Sequence, residues 1–102
     1  MMQLHVSHYG EPQLDMRPPV IILHGLFGSN RNWHPIAKAL SEHYDVYSLD
    51  LRNHGKSPHS EQMDYPQMSG DVEEFIKQHQ FNSVSIIAHS MGGKAAMWLA
   101  LN

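Results

Sequence analysis

Residues 83–101 read SVSIIAHSMGGKAAMWLAL, a β-branched run, a turn and an apolar helix in immediate succession. Ser83–Ala88 is short and apolar, as a strand inside a sheet requires. Met91–Leu101 is rich in Ala, Met and Leu and apolar almost all round, which suits a helix covered on most sides. Between them, Ala88-His89-Ser90-Met91-Gly92 follows the strand–turn–helix pattern G-x-S-x-G with Ala in its first place. Small residues at both ends let strand and helix approach while the chain turns through a strained conformation that pushes the central hydroxyl outward. The turn also sets the Met91 N–H at a helix N-terminus, where partial positive charge can stabilise an oxyanion. Ser90 is therefore a candidate nucleophile. Ser is equally a preferred helix cap, and the pentapeptide alone leaves both readings open.

Working back from that stretch, the chain alternates strands and helices. Val20–Leu23 is apolar on both faces and predicts a buried strand. Trp33, Ile36, Ala37 and Leu40 have the i, i+3, i+4, i+7 spacing of an amphipathic helix that ends near His43, with Pro35 in its first turn. Tyr44–Leu51 is the next strand and Arg52–Ser60 a polar loop. Met68, Val72, Phe75 and Ile76 mark a second helix, opened by Asp64 as cap with Pro66 in its first turn. Near the N-terminus, Leu4, Val6 and His8 alternate with Gln3, His5 and Ser7 as in a half-exposed strand, and Gln13–Met16 could return as its hairpin partner. Strand, helix, strand, helix, strand, helix is the order of an α/β fold, a mostly parallel sheet flanked by helices.

His24-Gly25-Leu26-Phe27-Gly28-Ser29 directly follows the first core strand. Taken together, HGLFGSNRNW, DLRNHGKS and AHSMGGKAAMWLA resemble, in order and spacing, the first half of a small bacterial serine esterase of the α/β-hydrolase superfamily. The likeness covers nearly the whole chain, Val20 to Leu101 most specifically. It implies a Ser–Asp–His hydrolase, a carboxylesterase or thioesterase acting on short acyl esters or thioesters, with acyltransferase and C–C hydrolase relatives. It makes Ser90 the nucleophile and Leu26 and Met91 the backbone donors of the oxyanion hole, with His24, Gly25, His89 and Gly92 supporting elbow and loop. In that fold the acid and the His follow the Ser along the chain, whereas MGGKAAMWLALN after Ser90 contains no Asp, Glu or His. Residues 1–102 are thus expected to be the N-terminal portion of one hydrolase domain, inactive alone, with His24 the only upstream imidazole able to approach Ser90. The open edge of the Ser83–Ala88 strand is expected to invite self-association. A non-catalytic binding or assembly module that keeps the front half of the fold is the alternative.

Asp50 and Arg52 flank a Gly turn, and the resemblance gives them a bracing rather than a catalytic role, an Arg–Asp pair being able to fix a loop bidentately. Two segments imitate a phosphate-binding G-x-x-x-x-G-K-[ST] loop. The one ending Gly55-Lys56-Ser57 has Asp50 in place of its first Gly, and the one beginning at Ala88 ends in Ala95, which has no hydroxyl for magnesium. Nine His suggest metal, but they lack ligand spacing, and Met63, Met68, Met91 and Met97 read as core or pocket filler. No cofactor and no metal are expected.

The chain has 102 residues, no Cys, and a formal charge of −3 from 7 basic and 10 acidic side chains. This allows one domain, excludes disulfides and thiolate chemistry, and offers no basic stripe for nucleic acid. Apolar runs are far below the ~20 residues that cross a bilayer, and no secretory signal precedes them. A cytoplasmic, soluble protein with a small-molecule acyl substrate is expected.

Overall fold

The computed structural model describes residues 3–10, 18–25, 28–81 and 83–101. Four strands form one sheet: β1 (Val6–Tyr9), β2 (Pro19–Leu23), β3 (Asp45–Leu49) and β4 (Ser85–Ala88). Their spatial order is β1-β3-β2-β4. β2 runs parallel to both β3 and β4, with Leu23 opposite Leu49 on one side and Ala88 on the other. β1 pairs antiparallel with β3, Val6 facing Leu49. The expected hairpin partner Gln13–Met16 lies outside the described residues. The sheet is mostly parallel and flanked by helices, as the pattern of elements predicts.

Three helices flank the sheet: α1 (His34–Leu40), entered through a 3₁₀ turn at Asn30–Trp33, joins β2 to β3, α2 (Tyr65–Gln78) joins β3 to β4, and α3 (Met91–Leu101) follows β4. Their caps explain their boundaries. Asp64 accepts a hydrogen bond from the Gln67 N–H at 2.8 Å, and Pro66 sits in the first turn, where its missing N–H costs nothing. α1 stops at Leu40, three residues before its expected end, because Ser41–Tyr44 turn back on it through bonds to Ala37, Ala39 and Leu40 carbonyls.

The strand alternation divides the core between the two faces. On one, Ile21, Leu23, Tyr47 and Leu49 pack with Met68, Val72 and Phe75 of α2 and Met91 and Ala95 of α3. On the other, Ile22 and Val46 meet Ala37 of α1. Burying one such aliphatic side chain is worth about 1.5–3 kcal/mol, so α2 and α3 hold the sheet more firmly than α1 does. At the far end of the sheet, the His8 ring bonds the Asp45 carboxylate and stacks on Tyr47 at 4.5 Å, fastening β1 to β3. Burial, reinforced by that carboxylate, pushes the Tyr47 hydroxyl up.

Three apolar expectations need correcting. Ile36 belongs to the predicted inward stripe yet is 48 % exposed. Met63 and Met97 are exposed rather than filling the core, unlike Met68 and Met91. Trp98 on the apolar helix is 43 % exposed, so α3 is covered on one side only.

Candidate active site

β2 occupies the place where the strand order reverses. The chain leaves it through α1 on one face to reach β3, and leaves β4 through α3 on the other face. Loops that part in this way open a crevice at the carboxyl ends of the strands, the usual place for a ligand in such sheets. A cleft of about 450 Å³ lies there, lined by Gly25, Gly28, Trp33, Ile36, His89 and Ser90. The exposure of Ile36 follows from this position, because its side chain walls the cleft instead of the sheet.

Ser90 stands between β4 and α3 with φ at 52° and is exposed. Among the described residues, the other non-glycine positions in the left-handed region are Asn53 and Gln80. Asn tolerates that region, and Gln80 follows α2 as a helix C-terminal residue. Ser90 has neither reason, and a residue held there costs on the order of 1–3 kcal/mol.

The surrounding backbone imposes the turn. The His89 N–H bonds the Leu23 carbonyl at 3.1 Å, continuing the β2–β4 ladder, and the Gly92 N–H reaches the His24 carbonyl at 3.1 Å. Lys94 N–H bonds the Ser90 carbonyl at 3.0 Å and starts α3. Gly92 is compulsory, since a Cβ there would lie 2.6 Å from the His24 carbonyl oxygen and 2.7 Å from that of Leu23. Gly25 faces the elbow from the opposite side: a Cβ there would lie 2.7 Å from the His89 ring, which would have to turn away, and 3.4 Å from the Ser90 Cβ. Met91 opens α3, so its N–H belongs to the first turn, whose amides have no intrahelical acceptor. Leu26, the other expected oxyanion donor, lies outside the described residues.

His24 does not approach Ser90 as a base. It is 1 % exposed, its Nδ1 bonds the Gly25 carbonyl at 2.7 Å, and its Nε2 accepts the Leu51 N–H at 2.9 Å. Burial pushes its pKa down, with the neighbouring His54 adding to the effect.

The loop after β3 is built separately. The bidentate Arg–Asp pair exists, but the partner of Arg52 is Asp71 of α2 and not Asp50, at 2.7 and 2.8 Å, with a third bond to the Gln62 carbonyl. Both groups are buried, and the Asp71 hydrogen bonds hold the Arg52 guanidinium above its usual range. Asp71 carries a sequence signal of its own: it falls on the stripe 68, 71, 72, 75, where a carboxylate facing the core must find a partner. Asp50 turns its carboxylate into the loop and accepts the Lys56 N–H at 3.0 Å. That carboxylate, 2.3–2.5 Å from where a Gly55 Cβ would be, fills the space a phosphate would need, which removes the phosphate-loop reading of Gly55-Lys56-Ser57.

These features are those of a known family. The chain matches the family of the alpha/beta hydrolase fold over residues 18–102 and belongs to it. It is 54 % identical over 90 residues to a Saccharomyces cerevisiae protein named "Probable alcohol acetyltransferase", covering 83 % of this chain and 26 % of that one. It is 51 % identical over 86 residues to the sn-1-specific diacylglycerol lipase ABHD11 of Xenopus laevis, covering 82 % and 28 %. The solved structure of a marine microorganism esterase superposes with a TM-score of 0.92 at 48 % identity, over 98 % of this chain and 37 % of that one. The chain thus spans about a quarter of the length of these curated relatives and corresponds to the front part of the solved structure. Among the described residues, no helix is long and apolar enough to cross a membrane.

Proposed function

We propose that this chain carries the nucleophile and the oxyanion-binding loops of a serine hydrolase, a carboxylesterase or thioesterase acting on short acyl esters. The observation that carries the reading is Ser90, exposed in the cleft on a left-handed backbone that neither an Asn side chain nor a helix end accounts for. In this mechanism Ser90 Oγ attacks the acyl carbonyl carbon and loses its proton to a base. The negative charge forming on the carbonyl oxygen is met by the N–H groups of Met91 and Leu26, and the alcohol or thiol then leaves. Gly25 and Gly28 give the carbonyl room, and Trp33 and Ile36 supply an apolar wall for the acyl chain. Both His24 nitrogens are engaged, and in this fold the acid and the His follow the nucleophile along the chain, so neither role is assigned within residues 1–102. The chain alone should turn over p-nitrophenyl acetate very slowly, retaining at most the ~10³–10⁴-fold over water that serine proteases keep without their triad.

The test is labelling by an alkyl fluorophosphonate at alkaline pH, followed by peptide mass spectrometry. An adduct on Ser90 that disappears in Ser90→Ala supports the reading. An adduct on another residue only, or none, would overturn it.

A second reading, an assembly module, has its own observation. Among the described residues β4 is an edge of the sheet and pairs with β2 only, and Met97 and Trp98 lie exposed on the helix that follows. Sedimentation that shows association with rising concentration, undone by Ser85→Lys at the exposed position of β4, would support it.

A further inference from the structure

Gly25 in the loop after β2, Leu51 in the loop after β3 and Gly92 in the first turn of α3 are all bonded to one residue. The His24 ring reaches the Gly25 carbonyl and the Leu51 N–H, and the His24 carbonyl accepts the Gly92 N–H. The Gly25 carbonyl also receives the Gly28 N–H at 3.0 Å, so the ring acts on the closing bond of the turn that leads to the cleft. Because Leu51 N can only donate, Nε2 must be the acceptor, and the proton must sit on Nδ1, facing the Gly25 carbonyl. Only the neutral Nδ1–H form of the ring satisfies both partners.

We infer that His24 is the positioning residue of the site: its neutral Nδ1–H tautomer clamps the loops after β2 and β3 together and fixes the backbone opposite Ser90. This rests on the serine-hydrolase reading of the cleft, and it assigns His24 a role in geometry rather than in proton transfer. A doubly protonated ring would turn an N–H toward the Leu51 N–H, opening the clamp on that side. The groups that face the ring oppose one another: His54, with its ring 5.1 Å away, disfavours the charge and Asp50 favours it, both from the loop after β3. α3 presents the uncharged Gly92, and His89 lies across Gly25. Burial decides the balance and keeps the imidazole neutral to lower pH than usual.

The experiment uses the full 102-residue chain with ¹⁵N-labelled histidine and backbone amides, the His24 signals being assigned by their loss in His24→Gln. The expected result is the Nδ1–H tautomer at neutral pH, with the amides of Gly28, Leu51 and Gly92 shifting at the same acidic midpoint as the His24 ring. An Nε2–H tautomer, or amides that do not follow the ring, would overturn the clamp. Fluorophosphonate labelling of Ser90 then connects the clamp to the site. His24→Gln, whose amide can supply both a donor and an acceptor, should keep the rate, whereas His24→Leu should lose about tenfold, the worth of one buried hydrogen bond. Equal rates in wild type and His24→Leu would overturn the positioning role. A wild-type chain that is not labelled at all, with the tautomer and linked amides as expected, would leave the clamp standing and sink the hydrolase reading instead.

Discussion

The elbow at 88–92 and the loop at 50–57 are both tight turns at the carboxyl ends of the two strands that flank β2, and both contain left-handed backbone. They treat it in opposite ways. In the 50–57 loop the left-handed positions are Asn53 and Gly55, residues that accept that geometry. Its polar groups are bonded within the protein: Arg52 to Asp71 and Gln62, His54 to the Arg52 carbonyl, and Ser57 to the His5 N–H and the Asp50 carbonyl. In the elbow the left-handed residue is a Ser whose side chain lies in a cleft. Strain offset by the residue type marks scaffold, whereas strain left on a reactive side chain marks a candidate for chemistry.

The largest effect should come from breaking the scaffold loop. Arg52→Ala leaves the Asp71 carboxylate buried without its guanidinium, at a cost of about 3–5 kcal/mol. A chain of this size has little more to lose, so urea unfolding should shift toward zero denaturant or the variant should not fold. Loss of less than about 1 kcal/mol would place the pair among exposed ion pairs and break the contrast between the loops. Gly92→Ala comes next, at about 1–3 kcal/mol, because the Cβ meets two backbone carbonyls that cannot swing away. It should also slow Ser90 labelling, as α3 is pushed from the end of β2.

A pH series isolates His24. Its native pKa is lowered, so on acidification the unfolded chain takes up the proton first. The stability this residue contributes is therefore complete above the ordinary imidazole value of about 6.5 and declines as pH falls below it, by up to about 1.4 kcal/mol per unit, until the native ring is also protonated. The difference in urea midpoint between wild type and His24→Gln should shrink over that window. Ser90→Gly is smaller and opposite in sign: removing the Cβ relieves the left-handed strain and should raise stability by up to about 1 kcal/mol while abolishing labelling. An equivalent gain from a substitution in the 50–57 loop is not expected.

Local patterns made most of the fold legible. The two-sided apolar run at Val20–Leu23 marks the central strand, and Asp64 with Pro66 marks the start of α2, because caps and period act within a few residues. What the pattern misassigned depends on distant partners. Ile36 has the right spacing for the core, but the parting of the loops after β2 and β4 puts a cleft where its neighbour would be. For Arg52 the sequence offers Asp50 as the nearest acid, whereas the crossover to α2 brings Asp71 to it. His24 stands out in the sequence as the one upstream imidazole able to approach Ser90, from its place in the loop after Val20–Leu23, and only the β2–β3 register, with Leu23 opposite Leu49, shows that Leu51 occupies its second nitrogen.

The smallest expected effect separates two adjacent glycines. Gly92 and Gly93 both lie in the first turn of α3, and the elbow pattern asks for a small residue at the first of them only. Around Gly92 the backbone of β2 excludes a side chain, while nothing lies within 4 Å of a Cβ on Gly93. Gly93 also has no left-handed φ to protect, so its hydrogen contributes only extra freedom to the unfolded chain. Gly93→Ala should therefore stabilise the protein by about 0.5–1 kcal/mol, the ordinary helix preference of Ala over Gly, and leave Ser90 labelling unchanged. A destabilised Gly93→Ala would mean that the second glycine of the elbow meets something besides open space, and the close approach assigned to Gly92 alone would have to be shared by both.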